Sequence, residues 1–187
     1  MKKLWVILLV LISACSWRSP DSKFYMMNSR DLNELSSKKI NVAVARVKVP
    51  DLLNRSQMVV YEKDSNQVKI LEFNRWGEVL PDVLQATVVN DLMAYLPNAY
   101  VKRTYFDSQN TDYNINIEIN NIKAYEDDKV VLSAWWNILN GAGKTLYRGQ
   151  KTYEVIAEGE SLDDLVAAQN KAVHLLSKDI VEYLIKK

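Results

Sequence analysis

Two periods of apolar residue divide this chain into stretches of different kind. In residues 113–119, Tyr113, Ile115, Ile117 and Ile119 alternate with Asn114, Asn116 and Glu118, the period of two that gives a β-strand one dry and one wet face. Ile122 and Ala124 then fall on the opposite parity, which predicts a bulge at Asn120-Asn121. Upstream, residues 40–49 (INVAVARVKV) are rich in β-branched side chains and stop at Pro50, a strand signature. QMVVYEKD and QVKILEF flank Asp64-Ser65-Asn66, a turn-forming cluster that pairs them as strands. Downstream, KVVLSAWWNIL and KTLYRGQKTYEVIAE flank Asn140-Gly141-Ala142-Gly143, a hairpin signal. The segment 24–27 reads as a further short strand, and the polar stretch 28–39 as a loop.

Helical periodicity appears twice. Leu80, Leu84, Val88, Leu92 and Leu96 recur every fourth residue, widened by Val83 and Tyr95. Pro81 suits a first turn and Pro97 ends the run. The opposite face carries Asp82, Gln85, Asn90 and Asp91, so one side is expected to bury and the other to stay wet. The second stripe comprises Leu162, Leu165, Val166, Ala172, Val173, Leu176, Ile180 and Leu184. Ser161-Leu162-Asp163-Asp164 resembles a cap at its start, and Lys186-Lys187 suit the negative end of the helix dipole. Blocks of strands interrupted by two amphipathic helices predict an α+β fold: an antiparallel sheet with both main helices packed on one face.

Residues 1–14 stand apart. Lys2-Lys3 precede the unbroken apolar run 4–12, followed by Ser13-Ala14 and then Cys15, the single cysteine. A membrane span needs roughly 20 apolar residues, so this run is too short, and its layout is that of a secretory leader. Ile12-Ser13-Ala14-Cys15 resembles the lipobox of bacterial lipoproteins. By that resemblance residues 1–14 are a signal peptide, and Cys15 receives a diacylglycerol on sulfur and an acyl chain on its new amino group. The polar, proline-interrupted residues 15–22 become a lipidated tether, and residues 23–187 a single α+β domain. In enteric-type bacteria an aspartate after the cysteine tends to hold lipoproteins at the inner membrane. Ser16 occupies that position, which favours the periplasmic face of the outer membrane.

The chain carries 24 basic against 23 acidic residues, and Lys2 and Lys3 leave with the leader. A nearly neutral body does not suit nucleic acid, whose recognition needs a basic surface. At 48% hydrophobic residues with five glycines, the chain has material for a proper core, and one cysteine permits no internal disulfide.

Catalytic patterns are weak throughout. GAGKT at 141–145 lacks the earlier glycine of a phosphate loop, since position 138 is Ile, and it joins two expected strands rather than a strand and a helix. His174 is the single histidine, which leaves a metal site only carboxylates as partners and a Ser-His-Asp set without local support. Asp127-Asp128 and Asp163-Asp164 fall at an expected turn and helix start. No enzyme, metal or cofactor is expected beyond the covalent lipid. Trp135-Trp136 must point to opposite faces of a strand, one towards the core and one outwards. Such an indole serves either as a sheet cover or as an interface contact, and Trp136 is taken as a candidate contact.

The central block carries a family likeness. VKVPDLLNRSQMVV (47–60) followed by FNRWGEVLPDVLQATVVNDLMAYLP (73–97) resembles the ABC-type transport auxiliary lipoproteins, the PqiC/YmbA family. The pattern there is a strand leading into Val-Pro-x-x-Leu-x-Arg, a Gln-hydrophobic-Val strand, and an Arg-Trp pair opening a helix. Here these are Val49, Pro50, Leu53 and Arg55; Gln57, Met58 and Val59; Arg75 and Trp76 with Leu80. FYMM resembles the family's first strand, whose usual ending is Leu-Leu. The resemblance implies an outer-membrane-anchored subunit of an MCE-type transport system for lipids or other hydrophobic molecules. Its implied partners are an MCE-domain tunnel protein, an inner-membrane permease and identical copies in a ring. Pro50, Leu53, Arg55, Arg75 and Trp76 are its candidate contacts, against a packing role for Trp76 and an acidic partner for Arg75. The competing expectations are an assembly factor for an outer-membrane protein or lipopolysaccharide export complex, a cell-wall enzyme, and a carrier with an internal lipid pocket.

Overall fold

A computed structural model describes residues 20–29, 32–104, 110–126 and 128–186. The leader, Cys15 and the first part of the tether lie outside them. Among the described residues eight strands and two α-helices follow one another: β1 (Lys23–Tyr25), β2 (Asn41–Ala45), a 3-10 turn (Asp51–Leu53), β3 (Gln57–Tyr61), β4 (Val68–Trp76), α1 (Leu80–Tyr95), β5 (Tyr100–Thr104), β6 (Tyr113–Ala124), β7 (Lys129–Asn140), β8 (Thr145–Ile156) and α2 (Leu162–Lys186).

The class is α+β, as the alternation of periods implied, but the strands form two sheets. Five run in the order β5-β2-β6-β7-β8, and three in the order β1-β4-β3. Both sheets are mixed: β2 lies parallel to β5 and β6, and β1 lies parallel to β4, while β3-β4, β6-β7 and β7-β8 are antiparallel. Hairpins are visible in a sequence because a turn joins the partners. Parallel neighbours come from distant segments and leave no local mark.

The large sheet carries the core. The register between β6 and β7 slips between Ile119 and Asn121, where the parity change predicted a bulge. The slip keeps Ile115, Ile117 and Ile119 on the same buried side as Ile122 and Ala124, all 3% exposed or less. The β7 residues Val130, Leu132, Ala134, Trp136 and Ile138 face that side too. Both helices pack there, against the sheet and against each other.

α1 departs from its expected one-sided character. Leu80, Leu84, Val88 and Leu92 are buried, but so are Gln85 and Asp91 on the supposed wet face, and Thr87 beside them. The helix sits between sheet and α2, so its polar groups need internal partners. Gln85 Nε2 donates to the carbonyls of Val44 (2.9 Å) and Thr104 (3.3 Å), and Thr87 Oγ1 donates to the Val83 carbonyl. Leu35 and Ser36 donate their backbone N–H groups to the Tyr95 carbonyl at the helix end.

α2 is amphipathic as read, with Leu165, Ala172, Val173, Leu176, Ile180 and Leu184 buried. Its start is a reciprocal capping box with aspartate in place of glutamate: Asp164 N donates to Ser161 Oγ, and Ser161 N and Oγ both donate to Asp164 Oδ2. At its far end Lys38 Nζ donates to the Leu184 carbonyl. The 140–144 turn is a hairpin loop in which Gly143 takes φ of 79° and Asn140 Oδ1 accepts from the N–H groups of Ala142 and Lys144. GAGKT therefore links two antiparallel strands.

Candidate functional site

The two sequence blocks that carry the family likeness meet at one junction. After β2 the chain makes a single bridge from Lys48 to Glu118, then turns at Pro50 into the 3-10 turn, where Leu53 N donates to the Pro50 carbonyl at 2.8 Å. The following residues clasp the passage from β4 to α1. Trp76 N donates to the Ser56 carbonyl at 2.7 Å, Leu80 N to the Arg55 carbonyl at 3.1 Å, and Gly77 N to the Tyr25 carbonyl at 2.8 Å. The Arg-Trp pair closes β4 rather than opening the helix, which begins four residues after Trp76. The Arg55 carbonyl satisfies one of the amide groups that a helix start leaves unpaired.

Side chains at the junction separate into inner and outer sets. Leu53 is 5% exposed and Trp76 3%, and with Met58, Leu80, Ile122 and Gln169 they line one narrow crevice. Trp76 thus packs the helix start, and neither residue is available to a partner while the fold is intact. Pro50 is exposed, and Arg55 and Arg75 are partly exposed. Arg75 Nε donates to the Glu72 carbonyl at 2.7 Å, and its Nη2 lies 3.6 Å from the Glu72 carboxylate. Arg55 Nε is buried with no hydrogen-bond partner.

The tryptophan pair splits as strand geometry requires, Trp136 being 3% exposed and Trp135 51%. Trp136 is the inward ring, so the exposed indole of the pair is Trp135. Parity held that signal, because Trp135 shares its face with Ser133 and Asn137, and Trp136 shares its own with Leu132 and Ile138. Trp136 lies beneath its cross-strand neighbour Gly149, where a Cβ would come within 2.2 Å of the indole.

A second cluster was not legible in the sequence. Asp91 on α1 is fully buried; Ser29 Oγ donates to its Oδ1 at 2.5 Å, and His174 Nδ1 on α2 lies 2.8 Å from its Oδ2. Asn170 Nδ2 donates to the Asn28 carbonyl beside it. Serine, aspartate and histidine are present, but hydroxyl and imidazole both engage the carboxylate. A catalytic triad needs the imidazole between the other two, where it can take the hydroxyl proton. This arrangement instead fastens the segment following β1 to both helices.

Elsewhere, Tyr153 Oη donates to Asp179 at 2.6 Å, and Lys151 pairs with the same carboxylate. Burial first, and then the bond to Asp179, raise the Tyr153 phenol above its ordinary value, so it remains a neutral donor. A hollow of about 430 Å³ lies here, lined by Trp136, Tyr147, Lys151, Asp179 and Tyr183 among others. Another of about 580 Å³ lies among Lys63, Asp64, Tyr125, Asp128 and Lys129. Both are open and edged with charge, unlike an enclosed apolar chamber for acyl chains. Among the described residues no three His, Cys, Asp or Glu side chains gather as a metal site, and no helix is long and apolar enough to cross a membrane.

Comparison with known proteins is consistent with this architecture. A family model described as ABC-type transport auxiliary lipoprotein component matches residues 30–181. A crystal structure of an uncharacterized protein superposes with a TM-score of 0.72 at 21% identity, covering 88% of this chain and 99% of that one. A protein of Xanthomonas campestris assigned to family DUF330 also gives 0.72, at 12% identity, covering 87% and 94%. At these identities the likeness establishes the fold. No curated protein matches the chain.

Proposed function

This chain belongs to the family of ABC-type transport auxiliary lipoprotein components, and from that premise we propose that it is an outer-membrane-anchored periplasmic subunit docking the tunnel component of an MCE-type lipid transport system. The observation that carries the reading is the joint presence of the family block over 30–181 and the lipobox ending at Cys15. Residues 1–14 are removed, residues 15–22 tether, and residues 23–187 form the docking body. Two or three acyl chains hold such a body firmly where a single chain holds it only marginally, each buried methylene contributing ~0.8 kcal/mol.

The role is non-catalytic. What supports this is the use made of the groups an enzyme would need: the single histidine is committed to a buried carboxylate, and the GAGKT segment is a strand-to-strand turn. Pro50 and Arg55 are the docking contacts, with Arg75 at their flank, while Leu53, Trp76 and Trp136 keep the surface in shape from within. Identical copies join head to tail in a closed ring, an arrangement that needs two different patches per copy. The MCE tunnel protein and an inner-membrane permease complete the machine.

Palmitate labelling of the full chain in a Gram-negative host is expected to mark the mature protein and to lose the mark in Cys15→Ala. A photocrosslinker at Pro50 or Arg55 is expected to capture an MCE-domain protein. Capture of an outer-membrane β-barrel instead replaces this reading with that of an assembly factor, and an unlabelled mature chain overturns the anchor.

A further inference from the structure

The outer side of the small sheet has an unusual composition. In the parallel pair β1-β4, Lys23, Phe24 and Tyr25 lie in register with Asn74, Arg75 and Trp76. Alternation puts Tyr25, Asn74 and buried Trp76 on the inner side, where Asn74 Nδ2 donates to Tyr25 Oη. Phe24 and Arg75 are left on the outer side, and Phe73 precedes them in the irregular stretch where the β3-β4 register jumps from Arg75 to Leu71. Phe24 is 68% exposed and Phe73 41%. Met26, 53% exposed, continues this side beyond the strand end, with its sulfur against Gly77. Lys23 is exposed as well, but the same alternation turns it to the other side, in register with Asn74. On the large sheet, exposed apolar side chains such as Trp135 stand among polar neighbours; here three large ones share one end of a sheet, the pattern of a contact surface.

The connection to the anchor indicates what covers this surface. Because β1 is parallel to β4 with Lys23 opposite Asn74, the chain arrives from the anchor at the end of the sheet where Phe73 lies. Lys23 lies eight residue steps after Cys15, and extended chain covers at most ~3.6 Å per step. The patch is therefore held within roughly 30 Å of the lipidated sulfur, where even a weak contact works at a high effective concentration. The clamp on Ser29 by Asp91 and His174 fixes the far side of β1 to the helices.

Resting on the lipidation of Cys15 proposed above, we infer that Phe24, Met26 and Phe73 form a membrane-facing patch that lies on the phospholipid leaflet carrying the anchor. The large sheet is turned away from the bilayer. The anchor then sets orientation as well as location.

The test uses the full lipidated protein in vesicles of phosphatidylethanolamine and phosphatidylglycerol. With the Cys15 sulfur blocked by lipid, Phe24→Cys, Phe73→Cys and Trp135→Cys each offer one thiol for an environment-sensitive fluorophore. Interfacial side chains sit roughly 5–10 Å into the headgroup boundary, so shallow nitroxide lipids are expected to cut emission to about half or less at positions 24 and 73. Position 135 should be unaffected. Equal emission at all three positions, with the protein still floating with the vesicles, overturns the inference and leaves the anchor standing. Shielding of 24 and 73 that depends on protein concentration rather than on nitroxide also overturns it, in favour of a contact between copies. Failure to float, with fluorophore attached at Cys15 itself, overturns the lipidation reading beneath it.

Discussion

The two sheets use apolar residues in opposite ways. In the large sheet Ile115, Ile117, Leu132, Ala134, Trp136 and Ile138 point inwards, each 3% exposed or less, and the outer face carries Asn116, Glu118 and Gln150 around the exposed Trp135. In the small sheet Trp76 is buried, but Phe24 and Phe73 are largely exposed. A strand with one dry and one wet face explains itself through the fold alone. One whose outer face is also apolar gains nothing from the monomer for that composition, and this is what makes the small sheet informative about function. If the contrast is real, substitutions in the large sheet change stability, and those on the outer side of the small sheet change binding.

The largest effect is expected from Trp136→Ala. The ring is almost fully buried beneath Gly149, and deleting a buried tryptophan costs about 3–5 kcal/mol. The urea midpoint should fall accordingly with little change in slope. A loss under about 1 kcal/mol would mean that the inner face of the large sheet is not the packed core described.

Asp91→Ala follows at about 3 kcal/mol, because it strands His174 and Ser29 without their shared carboxylate. Some of that loss should be local. Proteolysis near residues 28–29 should rise in Asp91→Ala and also in the milder Ser29→Ala, with the remainder of the fold as resistant as before. Equal sensitivity in wild type and variants would show that the clamp does not restrain the segment after β1.

Legibility in the sequence followed the range of the contacts. The β6–β8 meander, the bulge at Asn120-Asn121 and the capped helix α2 were readable because each depends on residues within a few positions of one another. β5 was missed: Tyr100–Thr104 is held by parallel pairing to β2, about 60 residues earlier. The burial of Gln85 and Asp91 was missed for a related reason. Their face of α1 looks wet until β2 and β5 supply carbonyls to Gln85 and α2 supplies an imidazole to Asp91. At the candidate site, the order of Pro50, Leu53, Arg55, Arg75 and Trp76 picked out segments that the fold brings to one junction, but not which of them point outwards. The Leu53 and Trp76 side chains are core, and the joining bonds run through the backbone of Arg55, Ser56 and Trp76, which no side-chain pattern encodes.

Gly149→Ala sharpens the comparison at smaller scale. A methyl group there meets three indole atoms of Trp136 at 2.2 to 2.7 Å. Since this is overpacking, the expected cost is about 1–3 kcal/mol. Combining it with Trp136→Ala should cost less than the sum, because the cavity left by the ring receives the methyl group. Strict additivity would mean that the two positions do not touch across the β7-β8 pair.

Phe24→Ser should have the smallest effect on stability and the most to say about function. A side chain 68% exposed contributes little to the fold, and surface changes of this kind lie within about 0.5 kcal/mol. The same substitution removes the most exposed apolar group of the small sheet, so the lipidated variant should unfold at the wild-type urea concentration while a fluorophore at position 73 loses its nitroxide quenching. The two measurements separate the explanations for an apolar outer face. A fall of 2 kcal/mol or more with quenching retained would make Phe24 a packing residue, and the contrast between the sheets would then be one of degree. Unchanged stability with lost quenching leaves the bilayer as the partner that completes the small sheet.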